Sequence, residues 1–239
     1  MDPDFLLALA VVVVAGLMRG FAGVGSGMLM APFFMHLFGA HDTVVIIVVL
    51  ELIVTAQLLP GVFRRIAWRV IAPMGAAAMV MMPVGNHLLH TLDSELLRRG
   101  VGFLVTMFSL VLMTGWRYTG SKPIPVTLGV GGLSGALLAL TSLGNPPVML
   151  YLLSSTDSAA TNRANFTGYF AVTLSALVAG MLFTGQIGSA PIGKVAVVAP
   201  VFMIFVWIGS RLFRQSNEAA YRRVAFALLL FAGFYGLLA

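Results

Sequence analysis

The sequence predicts an all-α integral membrane protein built from two related halves. Of its 239 residues, 59% are hydrophobic and 9% are charged, and the mean hydropathy is +1.00. Such a composition is not that of a soluble domain, so most of the surface is expected to face lipid. The apolar residues form long runs rather than alternating ten-residue strands, which favours spanning helices over a β-barrel.

Internal repetition is the second observation behind this fold class. Residues 83–113 align with residues 207–237, so that Gly85 meets Gly209 and the arginine pair at 98–99 meets the pair at 222–223. With a slightly different offset, the glycine-rich stretch 23–27 falls against residues 141–145. The chain is therefore divided into a first repeat at 1–116, a linker at 117–124 and a second repeat at 125–239.

Each repeat is predicted to begin with a glycine-broken hairpin of short helices and to continue with three spans. The first half is expected to have short helices at 5–19 and up to residue 38, then spans at 44–62, 70–89 and 98–116. The second half repeats this order, with a short helix at 125–140, a break at 141–147, a second short helix up to residue 153, and spans at 162–184, 192–211 and 221–238. The two pieces of the first half are too short to cross a core of about 30 Å comfortably, which predicts a hairpin tip inside the membrane and about 8 to 10 membrane segments in all.

The positions of the basic residues indicate how the hairpins run. If each broken segment crosses once, lysine and arginine divide evenly between the two sides. If each returns to its starting side, only Arg98, Arg99 and Lys194 oppose ten others, with Arg19 left inside the membrane. The positive-inside rule favours the second arrangement, with a cytoplasmic linker and both termini in the periplasm of a bacterial inner membrane. The halves are then inverted repeats, a pattern typical of transporters; re-entrant loops and paired short crossings both remain open.

Several classes of function are disfavoured. The opening residues are acidic and no A-x-A-like site closes the first apolar run, so this run is expected to be retained rather than cleaved. The net charge of +6 comes from basic residues in short loops, where orientation explains it, so no nucleic-acid partner is expected. There is no cysteine and no Walker-type phosphate loop, which excludes thiolate sites and ATP bound to this chain.

Metal and enzyme sites are weakly indicated. His87, His90 and Asp93 lie at a helix end with no third histidine nearby, so we expect no metal and no other cofactor. Ser26 lacks the spacing of a G-x-S-x-G elbow, and no histidine lies in a matching span. We therefore expect no enzymatic activity.

The polar interruptions of the two hairpins are the candidate site for a small anion. Glycines break the helices at membrane depth in residues 19–27, and half-helix N-termini in such breaks offer free N–H groups and a positive dipole end. Hydroxyl and amide side chains would add donors suited to an oxyanion. The alternative is that these small residues only let helices pack closely. The predicted substrate-binding residues are Arg19, Gly20, Gly23, Gly25, Ser26, Gly27, Thr141, Ser142, Gly144, Asn145 and Pro146.

Arg19 is the basic residue that cannot be assigned to a loop, and Glu51 is the acidic residue inside a predicted span. Arg19 is expected to attract the substrate, although snorkelling or pairing with a helix C-terminus also explains it. Glu51 could take up and release a proton in coupled transport, and a structural pairing with Arg19 explains it equally well. Gln57, Asn165 and Tyr169 are polar candidates of lower rank.

Three motifs together resemble the TauE/SafE family of sulfite-exporter-like permeases, also called the toluene-sulfonate uptake permeases. They are RGFAGVGSG at 19–27 with Pro32 after it, GWRY at 115–118, and GNPPVMLYL at 144–152. The resemblance implies an ion-coupled secondary carrier of sulfite, organosulfonates or related sulfur anions, with both hairpins lining the pathway. Many members have a glycine pair before Pro-Pro where this chain has Gly144 and Asn145, so the second hairpin could recognise a different anion. A passive anion channel, and a membrane-embedded enzyme or scaffold subunit, are the alternatives.

Overall fold

The computed structural model describes residues 3–93, 95–96, 99–100, 103, 106–107, 110, 114, 123–141, 145–153 and 158–213. The described helices are α1 (Pro3–Ala22), α2 (Ser26–Phe38), α3 (Ala40–Val62), α4 (Trp68–Thr91), α5 (Ile124–Thr141), α6 (Asn145–Leu153), α7 (Ala159–Phe183) and α8 (Ser189–Phe213), with a 3-10 turn at Phe63–Arg65. The positions described between 95 and 110 are also helical. Residues 117–122 of the predicted linker, most of the predicted span at 98–116 and the whole predicted span at 221–238 lie outside the described residues.

The predicted fold class is confirmed. The described residues contain no strand, and five helices, α1, α3, α4, α7 and α8, are long and apolar enough to cross a membrane. Their outward faces carry large apolar side chains such as Val80, Phe183 and Ile204, which are more than half exposed, as expected of surfaces that meet lipid.

The first helix is longer than the sequence predicts. α1 continues past Arg19 to Ala22, and its 20 residues reach about 30 Å, enough to cross. Gly20 stays helical because α8 lies so close that a Cβ there would sit 1.9 Å from the Val206 main-chain oxygen. Packing against a neighbouring helix thus outweighs the weak helix propensity of glycine. By contrast α2, with 13 residues, is short as predicted.

Contacts between helix ends fix the directions of the first half. Lys194, near the start of α8, donates to Asp42 at the start of α3 over 3.0 Å and lies 4.5 Å above the ring of Phe38, at the end of α2. The ring of His90, near the end of α4, is 5.6 Å from that of His41 at the start of α3. The starts of α3 and α8 and the ends of α2 and α4 therefore share one face, called here the first face.

The first hairpin returns to the side from which it starts. α1 runs parallel to α8, since Gly16 lies against Phe202 and Gly20 lies against Val206. α1 therefore begins at the first face, and α2 ends there. Ser26, at the start of α2, contacts Glu51 in the middle of α3, so α2 begins inside the membrane.

The second hairpin enters from the opposite, second face. Thr127, near the start of α5, hydrogen-bonds to Tyr151, near the end of α6, over 2.5 Å. α5 runs parallel to α4, with Gly131 against Met74, and α4 begins at the second face. These are the directions that inverted repeats require, whereas the duplication of the chain itself stays a prediction.

Glycines bring two pairs of helices into backbone contact. Between α1 and α8, a Cβ on Gly209 would lie 2.3 Å from the Leu17 oxygen. Between α4 and α5, a Cβ on Gly85 would lie 2.1 Å from the Ala136 oxygen. Gly85 and Gly209, which align in the sequence, thus serve equivalent interfaces, and each interface joins one half of the chain to the other. Close approach through small residues is the usual way that helices associate in lipid.

Candidate functional site

The break between α1 and α2 is built on two glycines with left-handed backbone. Gly23 has φ of +77° and its N–H donates to the Arg19 oxygen over 2.9 Å, which ends α1. Gly25 has φ of +96° and precedes the first residue of α2. Space also disfavours a side chain at position 23, because a Cβ there would lie 2.8 Å from Cγ of Arg163, whereas a Cβ on Gly25 would meet only the flexible end of Met18, 3.0 Å away. Both predicted glycines therefore shape the break.

The N-terminus of α2 is buried and carries no side-chain cap. Its first main-chain hydrogen bond runs from Leu29 N–H to the Gly25 oxygen over 3.1 Å, so the N–H groups of residues 26–28 have no partner within the helix. The hydroxyl of Ser26 donates to the Glu51 carboxylate instead of capping its own helix. The positive end of the α2 dipole is therefore directed into the middle of the membrane.

Arg19 lies at this N-terminus with no exposed surface. Its Nε is 2.8 Å from Oε2 of Glu51, and its Nη2 donates to the hydroxyl of Thr55 over 2.9 Å. The guanidinium also lies 4.6 Å from the ring centre of Phe170, a distance typical of a cation–π contact. The sequence left open whether Glu51 pairs with Arg19, and the structure contains that pair.

The pair leaves donor capacity unused. Although Nε of Arg19 and Oε2 of Glu51 are within ion-pair distance, the N–H is not directed along that line and neither atom forms a hydrogen bond. Nη1 of Arg19 is buried and has no hydrogen-bond partner among the described residues. A guanidinium has five N–H donors, so Arg19 can accommodate a further acceptor without leaving Thr55.

Arg163 is a second arginine at the break, and the sequence reasoning treated it only as part of the charge bias. It lies near the start of α7, half-buried, and its Nη2 donates to the Gly20 oxygen over 2.6 Å. The contact joins residues 143 positions apart. No local pattern could have indicated it.

The second break is described only in part. α5 ends at Thr141 and α6 begins at Asn145, which agrees with a predicted interruption at 141–147. Ser142 and Gly144 lie outside the described residues, as do the side chains of Thr141, Asn145 and Pro146. Their predicted role in anion binding stays a prediction.

The polar candidates of lower rank have different surroundings. Asn165 is buried and its Oδ1 accepts from Ala67 N–H over 2.8 Å, which ties α7 to the start of α4. Tyr169 is fully buried, whereas Gln57 is exposed. Asn165 therefore links helices, as polar residues in membrane helices usually do.

The histidines near the end of α4 have a neighbour that the sequence did not suggest. His41 lies beside His90, although the two are 49 positions apart, so the expectation that no third histidine is near was wrong in space. Within the described part of the chain, no group of three or more histidine, aspartate or glutamate side chains is arranged to hold a metal ion.

The fold defines a multi-pass membrane protein in which the short helix α2 begins inside the membrane, beside the middle of α3. Sequence comparison agrees with this class: the model of the family "Sulfite exporter TauE/SafE" matches residues 8–236. The chain belongs to this family, and it is a membrane transport protein.

A named relative supports the same assignment. The protein called "Probable sulfite/organosulfonate exporter TauE" from Cupriavidus necator is 25% identical over 219 residues, which cover 88% of this chain and 81% of the relative. No solved structure matches this chain.

Proposed function

We propose that the protein is a secondary transporter that binds a sulfite-like or organosulfonate anion at the break between α1 and α2. The observation that carries the proposal is the buried Arg19, whose Nη1 has no hydrogen-bond partner among the described residues, beside the uncapped N-terminus of α2. The first-turn N–H groups and Ser26 add donors at the same place. The family and the name of the relative favour a sulfur oxyanion over other anions.

The anion is favoured over a cation by the groups that surround the break. A cation would meet the positive end of α2 and the guanidinium of Arg19, and both would repel it. An oxyanion with several acceptor oxygens would instead accept hydrogen bonds from Arg19, Ser26 and the main chain. Its binding would also offset the cost of holding Arg19 at this depth.

The second break would complete the pathway. Its helix α6 starts with Asn145, Pro146 and Pro147, and proline suits the first turn because that turn leaves its N–H unpaired anyway. The two hairpins enter from opposite faces, and movement of one half against the other would expose the site alternately to each side.

The orientation follows from charge. Arg64, Arg65, Arg69 and Arg211 lie at the ends of helices on the second face, whereas Lys194 lies at the first. The positive-inside rule therefore supports a cytoplasmic second face and periplasmic termini in a bacterial inner membrane. Glu51 would be the proton-coupling residue, because it is the acidic side chain at the break.

Flux into proteoliposomes tests the proposal. Labelled sulfite and a small alkanesulfonate are offered with and without an imposed pH gradient, and accumulation above the equilibrium level is expected with the gradient. Arg19→Lys should weaken uptake because a lysine cannot reproduce the fork of guanidinium donors. Arg211→Lys is the matched control, since Arg211 is exposed and its guanidinium lies 3.7 Å from the ring centre of Trp207. Downhill flux without accumulation would indicate a passive channel, and no flux of any anion would reject transport by this site.

A further inference from the structure

Two of the residues predicted to bind the anion are already bound to an acid of the protein itself. Ser26 donates to Oε1 of Glu51, and Nε of Arg19 lies 2.8 Å from Oε2. The carboxylate is therefore held between the end of α1 and the start of α2. That is the position in which the donors of the break would hold an oxyanion.

We infer that Glu51 is a tethered anion that competes with the substrate for Arg19 and Ser26, and that a proton on Glu51 releases both donors. The inference rests on the proposed function and adds the means of coupling. A carboxylate and a sulfonate present the same kind of acceptor, namely oxygens that share one negative charge. They cannot both use Ser26 Oγ–H and the same edge of Arg19 at once.

Charge balance makes proton and anion binding cooperative. Arg19 and Glu51 together are neutral, so a further anion would bring an uncompensated negative charge into a buried site. With a proton on Glu51 the pair carries one positive charge, and a monovalent anion neutralises it. The site is thus electrically balanced in two states, either empty with Glu51 ionised or loaded with Glu51 protonated.

One other described charge, Arg163, lies at the break, where it is half-buried and bonded to the Gly20 oxygen. Other charged or titratable residues are described on α1 and on the elements that pack against α3. They are bonded to other groups, exposed or at a membrane face, except for Tyr169 on α7, which is buried. They are Asp4 on α1, His36 on α2, Arg64 and Arg65 in the 3-10 turn, Arg163 and Tyr169 on α7, and Lys194 and Arg211 on α8. Arg163 is bonded to the Gly20 oxygen and Lys194 to Asp42.

The geometry also indicates where the proton goes. Oε1 of Glu51 accepts from Ser26, whereas Oε2 accepts no hydrogen bond from the described residues and faces Nε of Arg19 over 2.8 Å, so a proton would enter at Oε2 as that contact opens. The contact between Nε of Arg19 and Oε2 is poorly aligned, so it can open without loss of a good hydrogen bond. Arg19 keeps its bond to Thr55 throughout, which holds the guanidinium at the break.

The decisive variant is Glu51→Gln, which has the shape of the protonated acid and no charge. Binding of methanesulfonate to the purified protein is measured from acidic to mildly alkaline pH. Methanesulfonate stays ionised over this range, so any pH dependence belongs to the protein. The wild type should bind methanesulfonate more weakly as pH rises. At the alkaline end of the range, Glu51→Gln should bind it more tightly than the wild type by about 5- to 150-fold, which is the usual size of a coupling between two ligands. Binding to Glu51→Gln should not depend on pH.

Asp42→Asn is the matched control, because it makes the same change on the same helix at the first face. It should keep the pH dependence of the wild type. A second measurement needs no variant: addition of methanesulfonate to weakly buffered wild-type protein should draw about one proton from solution for each anion bound. The wild-type measurement keeps the inference testable if Glu51→Gln does not fold.

The outcomes separate the two proposals. Weaker binding by Glu51→Gln, an unchanged pH dependence in that variant, or binding without proton uptake would each overturn the competition by Glu51. In those cases gradient-driven accumulation by the wild type would leave the transport proposal standing. If methanesulfonate neither binds nor moves while sulfite does, the organosulfonate part of the proposed substrate class is wrong; if no anion moves, the proposed function fails together with the inference.

Discussion

The guanidinium of Arg163 in the second half donates to the main-chain oxygen of Gly20 at the end of α1 in the first half, over 2.6 Å. The C-terminus of a helix carries partial negative charge, which would disfavour an anion at the neighbouring break. A cation bonded to the last turn offsets that charge. Arg163 therefore positions the end of α1 and makes the break more favourable for an anion.

Replacement of Arg163 by glutamine should lower both stability and anion affinity. A hydrogen bond to a charged group contributes about 1.5–3 kcal/mol, and loss of it should lower the melting temperature of the detergent-purified protein. Arg163→Lys keeps the charge and should lose less affinity than Arg163→Gln. Equal affinities for both variants would mean that the charge of Arg163 has no effect on the anion. Arg211→Gln, at an exposed position of α8, serves as the control.

Position 23 requires glycine both for its backbone conformation and for lack of space, and comparison with Gly39 separates the two effects. Both have left-handed backbone, with φ of +77° and +78°, but only Gly23 has a neighbour in the way. Gly39→Ala should therefore cost about 1–3 kcal/mol from backbone strain alone, because its φ of +78° and ψ of 167° lie in a region essentially restricted to glycine. Gly23→Ala should cost more, because its Cβ would also displace the stem of Arg163. Thermal unfolding in detergent measures both, and equal losses would show that Arg163 moves aside freely.

The glycines between helix pairs should be intolerant of alanine. A Cβ on Gly20, Gly85 or Gly209 would lie within 2.3 Å of a main-chain oxygen on the opposing helix. Such overpacking typically costs about 1–3 kcal/mol, and backbone cannot yield as a side chain can. Gly129→Ala and Gly180→Ala are the controls, since nothing lies within 4 Å of either Cβ position. These should be neutral or stabilise by up to about 1 kcal/mol because alanine favours the helix. Comparable losses in both groups would refute close packing at these pairs.

Arg19 and Glu51 should depend on each other for stability. Removal of one partner of a buried ion pair leaves an uncompensated charge and typically costs about 3–5 kcal/mol. We expect Arg19→Met to be strongly destabilised and the double variant Arg19→Met with Glu51→Gln to recover most of that loss. The double variant should still fail to bind the anion. A double-mutant cycle of melting temperatures, with anion binding measured in parallel, distinguishes the contribution of Arg19 to stability from its contribution to anion binding.

The sequence indicated the break and the depth of Arg19 because both depend on local rules. Glycines at 23 and 25 interrupt a helix wherever they need left-handed backbone, and a charge in an apolar run must find a partner. Glu51 was the available acid in a predicted span, so its pairing was foreseen as one of two possibilities. These features need no knowledge of the tertiary fold.

The features that the sequence did not indicate all depend on distant contacts. Gly20 reads as part of the break, yet it stays helical because α8 approaches it. Thr55 and Arg163 look like an ordinary threonine and a loop arginine until the fold brings them to Arg19 and Gly20. His41 and His90 meet for the same reason. Periodicity and composition carry no information about which helices become neighbours.

The pairing of α1 with α8 and of α4 with α5 bears on how the chain is assembled during synthesis. Each pair joins a helix of the first half to one of the second, so the glycine surface of α1 has no partner until nearly the last described helix has been made. The early helices must then remain in the lipid with their helix-packing surfaces exposed. The break is complete only when α7 has been made and Arg163 contacts Gly20. Neither half is a separable unit, and two fragments cut in the linker should regain a working protein only when they are made together in one membrane.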